Sequence, residues 1–270
     1  MTAFSLRNIL LATDLTAFSD RAFDRALLLA EEQKAKLRVL HVIDSNLLPA
    51  ELVQESIAEA KAILERDVRE CVSGQLVEAS VKAATGAADT VVVEEASKMP
   101  ADLIVMGLAQ HGTVSAMVRG TTIDRVVRAS ACPVLAVKRR ARRAYGSILV
   151  SVDGGEPSRH ALTVALRAFP GAKISIVHAD ESGQLGARHQ VEDMVRVKCQ
   201  ELGVAGQGGP QLIVKSGRAV GVLQRVIAES NPDLVIFGTH GRKGVARAFL
   251  GSVAETLLEV LTADALVVRA

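Results

Sequence analysis

The feature that most constrains this chain is that it repeats itself. A constant offset of 131 residues carries Gly86 onto Gly217, Asp102-Leu103 onto Asp233-Leu234, Gly107 onto Gly238 and Gly120 onto Gly251, with no gap from there to Val137 and Val268. Upstream the offset grows to 139 and carries Ala12-Thr13-Asp14 onto Ser151-Val152-Asp153. The difference falls around the second helix expected in each half, which is shorter in the second. Whatever one half folds into, the other folds into as well, and each is the size of an ordinary domain.

Within each half, short apolar β-branched runs alternate with amphipathic runs, the pattern of parallel strands joined by crossover helices. The first half predicts strands near Asn8 to Thr13, Leu37 to Val42, Val77 to Ala83, Leu103 to Met106 and Val134 to Val137. Helices are expected between them near Ser19 to Lys34, Glu51 to Ser73, Ala87 to Ser97 and Thr121 to Ala129. The second half predicts strands near Ser147 to Val152, Lys173 to His178, Gln211 to Lys215, Leu234 to Phe237 and Ala265 to Val268. Its helices are expected near Pro157 to Phe169, Gly186 to Leu202, Ala219 to Ser230 and Ser252 to Leu261. The fold class is α/β, two tandem Rossmann-like domains, with boundaries read as 1–143 and 144–270. The boundary lies in Lys138-Arg139-Arg140-Ala141-Arg142-Arg143-Ala144, read as a solvated linker or, failing that, a docking site for acidic partners or nucleic acid.

One stretch carries chemistry. Gly238-Thr239-His240-Gly241, followed by Gly251-Ser252, lies where a buried strand should end and a helix begin. Glycine permits close backbone approach, and a helix N-terminus offers unpaired N–H groups to a phosphate. Ser252 either caps that helix or offers its hydroxyl to a ligand.

Other classes are excluded. An apolar fraction of 49% rules out a disordered chain. No apolar run approaches a membrane span, and the N-terminal residues lack the pattern of a signal peptide, so the cytoplasm is the expected location. Cys71, Cys132 and Cys199 are scattered and form no C-x-x-C pair, so neither a disulfide framework nor a zinc site is indicated; Cys132 is read as a small core residue. A net charge of +2, no Trp and one Tyr argue against nucleic acid as a partner.

With these residues in place the chain resembles the universal stress protein family in a tandem two-domain form. Its nucleotide-binding members carry Gly-x-x-Gly, nine residues, then Gly followed by Ser or Thr, which Gly238, Gly241, Gly251 and Ser252 match. Asp14 and Asp153 close the first strand of each half, Leu40-His41-Val42 and Val177-His178-Ala179 close the second, and Cys132-Pro133-Val134-Leu135 enters the fifth strand of the first half. The resemblance implies a five-stranded parallel sheet in the order 3-2-1-4-5, with ATP or ADP lying across the carboxyl ends of strands one and four. It places Asp153 near the nucleotide and its Mg²⁺, the backbone at Val177 against adenine, and Gly238, His240, Gly241, Arg242, Gly251, Ser252 and Val253 around the phosphates and ribose. For Asp153 the other reading is an Asx turn, for His240 a solvent-facing role. His41 and His178 are expected to be packed or hydrogen-bonded rather than catalytic.

The first half departs from the motif. Gln110 stands where Gly241 stands, so a side chain projects from a position that the motif leaves bare. The loop of the second half also carries Arg242, Lys243 and Arg247, while the first carries His111 and Arg119. Binding is therefore expected mainly in the second half, with Asp14, Val42, Gly107, Gly120 and Thr121 as the weaker set in the first.

The expected function is an ATP-binding stress or signalling protein whose nucleotide state alters a surface read by a protein partner not identified by the sequence. The alternatives are a slow ATPase or phosphotransferase, and a nucleotide-independent scaffold. No Walker lysine, kinase motif set or Ser-His-Asp constellation marks a dedicated enzyme. The resemblance further implies pairing through the last strands, Val134 to Val137 and Ala265 to Val268, as a pseudo-twofold unit within the chain or in a homodimer.

Overall fold

The computed structural model describes residues 5–17, 19–44, 46, 48–72, 77–107, 121–181, 183, 185–204, 209–239 and 252–269, with the backbone alone at 185–187 and 252. The chain forms two compact units, Ser5–Ala144 and Tyr145–Ala270.

In the first unit, β1 (Asn8–Thr13), α1 (Asp20–Gln33) and β2 (Lys36–Ile43) lead through a 3₁₀ turn at Ala50–Leu52 into α2 (Val53–Val72), β3 (Ala79–Thr85) and α3 (Ala88–Lys98). The chain continues with β4 (Leu103–Gly107), α4 (Thr122–Ala129) and β5 (Val134–Val137). The second unit runs β6 (Ser147–Ser151), α5 (Glu156–Ala168), β7 (Lys173–Asp180), α6 (Leu185–Glu201), β8 (Gln211–Ser216), α7 (Ala219–Ser230), β9 (Leu234–Thr239), α8 (Ser252–Val260) and β10 (Asp264–Arg269). Every expected strand and helix is present. β9 outruns its apolar stretch because its ladder with β10 continues through Gly238↔Val268 and Thr239↔Arg269.

All pairings within each unit are parallel. β1 lies between β2 and β4, with Ile9 opposite both Leu37 and Leu103; β3 pairs with β2 and β5 with β4. The second unit repeats this: Ile148 of β6 lies opposite Ile174 of β7 and Leu234 of β9, β8 pairs with β7 and β10 with β9. The strand order in each unit is therefore 3-2-1-4-5. The central strands are continuous apolar runs because helices cover both faces. Ile9, Leu10, Leu11, Ile104, Val105, Val150, Val235 and Ile236 have no exposed surface.

The repeat extends to backbone conformation. Gly86 and Gly217 occupy the same turn into α3 and α7 at φ +134° and +130°; a Cβ would crowd Val91 Cγ2 at 3.0 Å in the first and meet Val222 Cγ2 in ordinary contact at 3.5 Å in the second. Only glycine adopts that conformation without strain. The linker is strapped to α1: Arg21 Nη1 donates to the Lys138 carbonyl (2.8 Å) and Arg25 Nη1 to the Arg143 carbonyl (2.9 Å). Among the described residues no helix is long and apolar enough to cross a membrane.

Candidate functional site

In each unit the chain leaves the first strand on one side of the sheet and the fourth on the other, so the carboxyl ends of β1 and β4, and of β6 and β9, flank a topological switch point. Asp14 and Asp153 follow the first strands; Gly107 and Gly238 lie at the ends of the fourth. Of the glycine-containing loop that follows β9, His240, Gly241, Arg242, Lys243, Arg247 and Gly251 lie outside the described residues, as do Gln110, His111, Arg119 and Gly120 of its counterpart. The rest of the site can be compared position by position.

The two aspartates differ in what they hold. Asp14 Oδ1 accepts from the Thr16 amide (3.0 Å), the Thr16 hydroxyl (2.6 Å) and the Ser19 hydroxyl (2.5 Å). Partial burial pushes its carboxyl up, but the Ser19 and Thr16 hydrogen bonds outweigh burial and leave its pKa below the ordinary value. Asp153 Oδ1 accepts only the Gly155 amide, at 2.8 Å, in an Asx turn, so it takes one hydrogen bond where Asp14 Oδ1 takes three; Oδ2 of each aspartate has no described partner. The second unit has no threonine to match Thr16, and Ser158, the counterpart of Ser19, donates instead to the Gly155 carbonyl at 3.0 Å. The next residue differs as well: Leu15 is held at φ +61°, whereas Gly154 adopts φ +85°.

The ends of the second strands differ in register. His41 Nδ1 donates to the Thr13 carbonyl and His178 Nδ1 to the Val152 carbonyl, each at 2.9 Å; a carbonyl only accepts, so the proton is on Nδ1. Both histidines are thus structural clasps, and the matched bonds make Val42 and Ala179 counterparts. Val177 lies short of that position: its side chain is buried and its carbonyl accepts the Val152 amide at 2.9 Å. Successive residues of a parallel strand direct their N–H and C=O to opposite neighbours. Val177 faces β6 and the Asp180 carbonyl faces β8, where it accepts the Gly217 amide at 3.1 Å. Ala179 therefore faces β6, which has ended at Ser151, and its N–H and C=O have no described partner. In the first unit the ladder runs one pair further, to Thr13↔His41, and points the Val42 amide at the Thr13 carbonyl. Alignment of the two hydrophobic-His-hydrophobic triads carries the signal for Ala179; strand register shows where its backbone faces.

Gly238 has a packing reason of its own. A Cβ there would fall 2.3 Å from the Pro157 carbonyl carbon and 2.7 Å from the Ser158 nitrogen, so the first turn of α5 rests directly on the strand end. In the first unit Thr121 caps α4: its hydroxyl donates to Asp124 Oδ2 (2.8 Å) and accepts the Asp124 amide (3.2 Å), while its own amide donates to the same carboxylate (2.8 Å). A capping box thus satisfies donors that an anion would use. Arg125 Nε adds an ion pair with Asp89 Oδ2 of α3, at 2.9 Å. The counterparts of Arg125 and Asp89 are Thr256 and Val220, so the second unit lacks that pair. Backbone places Ser252 at the start of α8, and Val253 is exposed on its first turn.

Among the described residues no three His, Cys, Asp or Glu side chains cluster as a metal site. Cys132 is half-buried rather than a full core residue, with its Sγ 3.4 Å from the Ser130 hydroxyl. Burial raises its thiol pKa, so it is not an activated nucleophile.

The second unit thus presents a backbone N–H and C=O at Ala179 and a carboxylate oxygen at Asp153 that have no described partner. A bare N–H and C=O pair suits the acceptor and donor edge of adenine, and a carboxylate oxygen suits a ribose hydroxyl or a cation. The model of the Universal stress protein family matches residues 5–138 and 144–269. A universal stress protein of Methanocaldococcus jannaschii is 29% identical over 140 residues, covering 49% of this chain and 82% of its own. A putative universal stress protein of Staphylococcus aureus is 26% identical over 139 residues, covering 49% and 84%. A solved universal stress protein from Archaeoglobus fulgidus aligns over 98% of this chain and 97% of its own, with a TM-score of 0.79 at 21% identity, so the fold is shared across both units.

Proposed function

We propose, from the premise that the chain belongs to the universal stress protein family, that its second domain binds an adenine nucleotide and its first does not. The nucleotide state of the second domain then governs association with a protein partner. One observation carries this reading: the Ala179 N–H and C=O have no described partner, whereas the Val42 amide is directed at the Thr13 carbonyl; beside it, Asp14 Oδ1 accepts three hydrogen bonds and Asp153 Oδ1 one, with Asp153 Oδ2 left without a described partner. When a nucleotide is bound, that oxygen holds either a ribose hydroxyl or the Mg²⁺ accompanying the phosphates. Ala179 supplies the backbone edge for the base, and the run Gly241 to Ser252 supplies amides and cations for the phosphates. Pairing of the domains through 134–137 and 265–268 belongs to the same reading; separately expressed halves should associate with each other in analytical ultracentrifugation.

Isothermal titration calorimetry of the full chain with ATP and Mg²⁺ tests the proposal. The expected stoichiometry is near one nucleotide per chain, abolished by Asp153→Ala and kept by Asp14→Ala. Two equal sites, or binding that survives Asp153→Ala and is lost in Asp14→Ala, would overturn it.

A further inference from the structure

Beyond β7 the chain is fastened at a second point that has no counterpart among the described residues of the first domain. Glu181 Oε1 accepts the Ala219 amide at 2.7 Å, so a carboxylate from the end of the second strand sits on the first helical residue of α7. The N-cap of that helix, Arg218, makes no side-chain capping bond, which leaves this contact to Glu181. An anionic acceptor at a helix N-terminus satisfies an orphan amide and meets the positive end of the helix dipole. Between Ala179 and Glu181, the Asp180 carbonyl is held by the Gly217 amide (3.1 Å), and Asp180 Oδ1 accepts the Gly183 amide (2.8 Å) in a turn with Gly183 at φ +64°. The segment just past the unpaired Ala179 edge is thus pulled toward β8 and α7, away from the end of β6.

In the first domain the equivalent of the Asp180 bond survives, since the Ile43 carbonyl accepts the Gly86 amide at 3.0 Å. The carboxylate that follows does not reach across. Asp44 Oδ1 turns back on Asn46, accepting its amide and its side-chain Nδ2, each at 3.0 Å. An aspartate is also one methylene shorter than the glutamate that spans the gap in the second domain. The domain with the latch is the one whose strand end is left open, and the domain without it has its ladder closed to Thr13↔His41.

We propose that Glu181 is a positioning residue for nucleobase recognition: by anchoring the strand end to α7 it keeps the Ala179 N–H and C=O directed at the cleft and so sets the preference for adenine over guanine. The inference rests on the adenine-nucleotide reading above. An N–H donor beside a C=O acceptor matches N1 and N6 of adenine and opposes O6 and N1 of guanine, so the discrimination exists only while that edge is held in place.

The test compares Glu181→Ala and Glu181→Gln with the unaltered chain, using ATP, GTP and inorganic tripolyphosphate as titrants, together with amide hydrogen exchange of the ligand-free protein. Glu181→Ala should weaken ATP about tenfold, a typical loss for removing a cap, and narrow the ATP to GTP ratio by a similar factor. Tripolyphosphate affinity should stay within about twofold, and Glu181→Gln, which keeps an acceptor oxygen, should recover most of the loss. Exchange across 179–183 and at Ala219 should speed up in Glu181→Ala with the interior of β6 unchanged. Equal weakening of ATP and GTP would assign Glu181 a general stabilising role and overturn the proposal, as would exchange identical to that of the unaltered chain. Absence of ATP binding by the unaltered chain overturns the parent reading, and the exchange experiment still decides whether the latch exists.

Discussion

The two domains share a sheet, a strand order and even a pair of glycine turns, yet their clefts are finished in opposite ways. In the first, side chains complete one another: Thr16 and Ser19 both bond Asp14 Oδ1, Thr121 and Asp124 cap α4, and Arg125 reaches Asp89. In the second, Asp153 Oδ1 accepts a single hydrogen bond, Ala179 has a backbone edge with no described partner, and Gly154 stands where Leu15 is held at positive φ. Duplicated domains diverge here by satisfying polar groups internally in one copy. A saturated donor set has nothing left to offer a ligand, and the fold that surrounds it is unaffected.

The comparison breaks most readily at Gly238. Gly238→Ala drives a Cβ into the Pro157 backbone and should cost about 3 kcal/mol or more, because the neighbour is main chain and not a flexible tip. Denaturant unfolding should show the loss in the second domain alone, and an unchanged midpoint would show that α5 can retreat from β9. Copying the first domain's residue, Gly241→Gln should weaken ATP by about a hundredfold, roughly 2.7 kcal/mol, with little change in stability. Full binding by that variant would remove the loop from the contrast.

Exchanging Leu15 and Gly154 should move stability in opposite directions. Leu15→Gly relieves a left-handed non-glycine residue, but gives back part of the gain through a looser unfolded chain, for a net effect within about 1 kcal/mol. Gly154→Leu imposes that strain and crowds Val191 Cγ2, 3.3 Å from the new Cβ, and should cost about 1 to 2 kcal/mol. Thermal unfolding of both variants checks the pair. The smallest effect concerns acid. Because the folded pKa of Asp14 is lowered, its contribution is present above the unfolded value near 3.9 and is lost as pH falls through the folded one. Asp14→Asn should flatten the dependence of first-domain stability on pH in that window, read by urea titrations between pH 5 and pH 2. An unaltered slope would mean that the Thr16 and Ser19 bonds do not favour the ionised form.

The amino-acid sequence by itself determined the duplication, the α/β alternation and the motif contrast between Gly241 and Gln110. These are local properties: strands buried on both faces must be apolar throughout, helices need apolar residues at their own period, and a turn that requires glycine shows glycine. The Thr121 and Asp124 capping box is local as well, spanning four residues, yet in the sequence Thr121 reads only as part of the weaker nucleotide set. Only the tertiary structure decided which polar groups are occupied. How many bonds Asp14 Oδ1 accepts depends on a hydroxyl five residues away turning inward; whether Val177 or Ala179 keeps a backbone edge without a described partner depends on where two ladders stop; and Glu181 finds Ala219 across 38 residues. Gly238 was visible as a glycine, but its reason, the backbone of α5 resting on it, appears only when strand and helix are brought together. Periodicity records what each segment buries, whereas the pairing of one hydrogen-bonding group with another is settled by packing of segments distant in sequence.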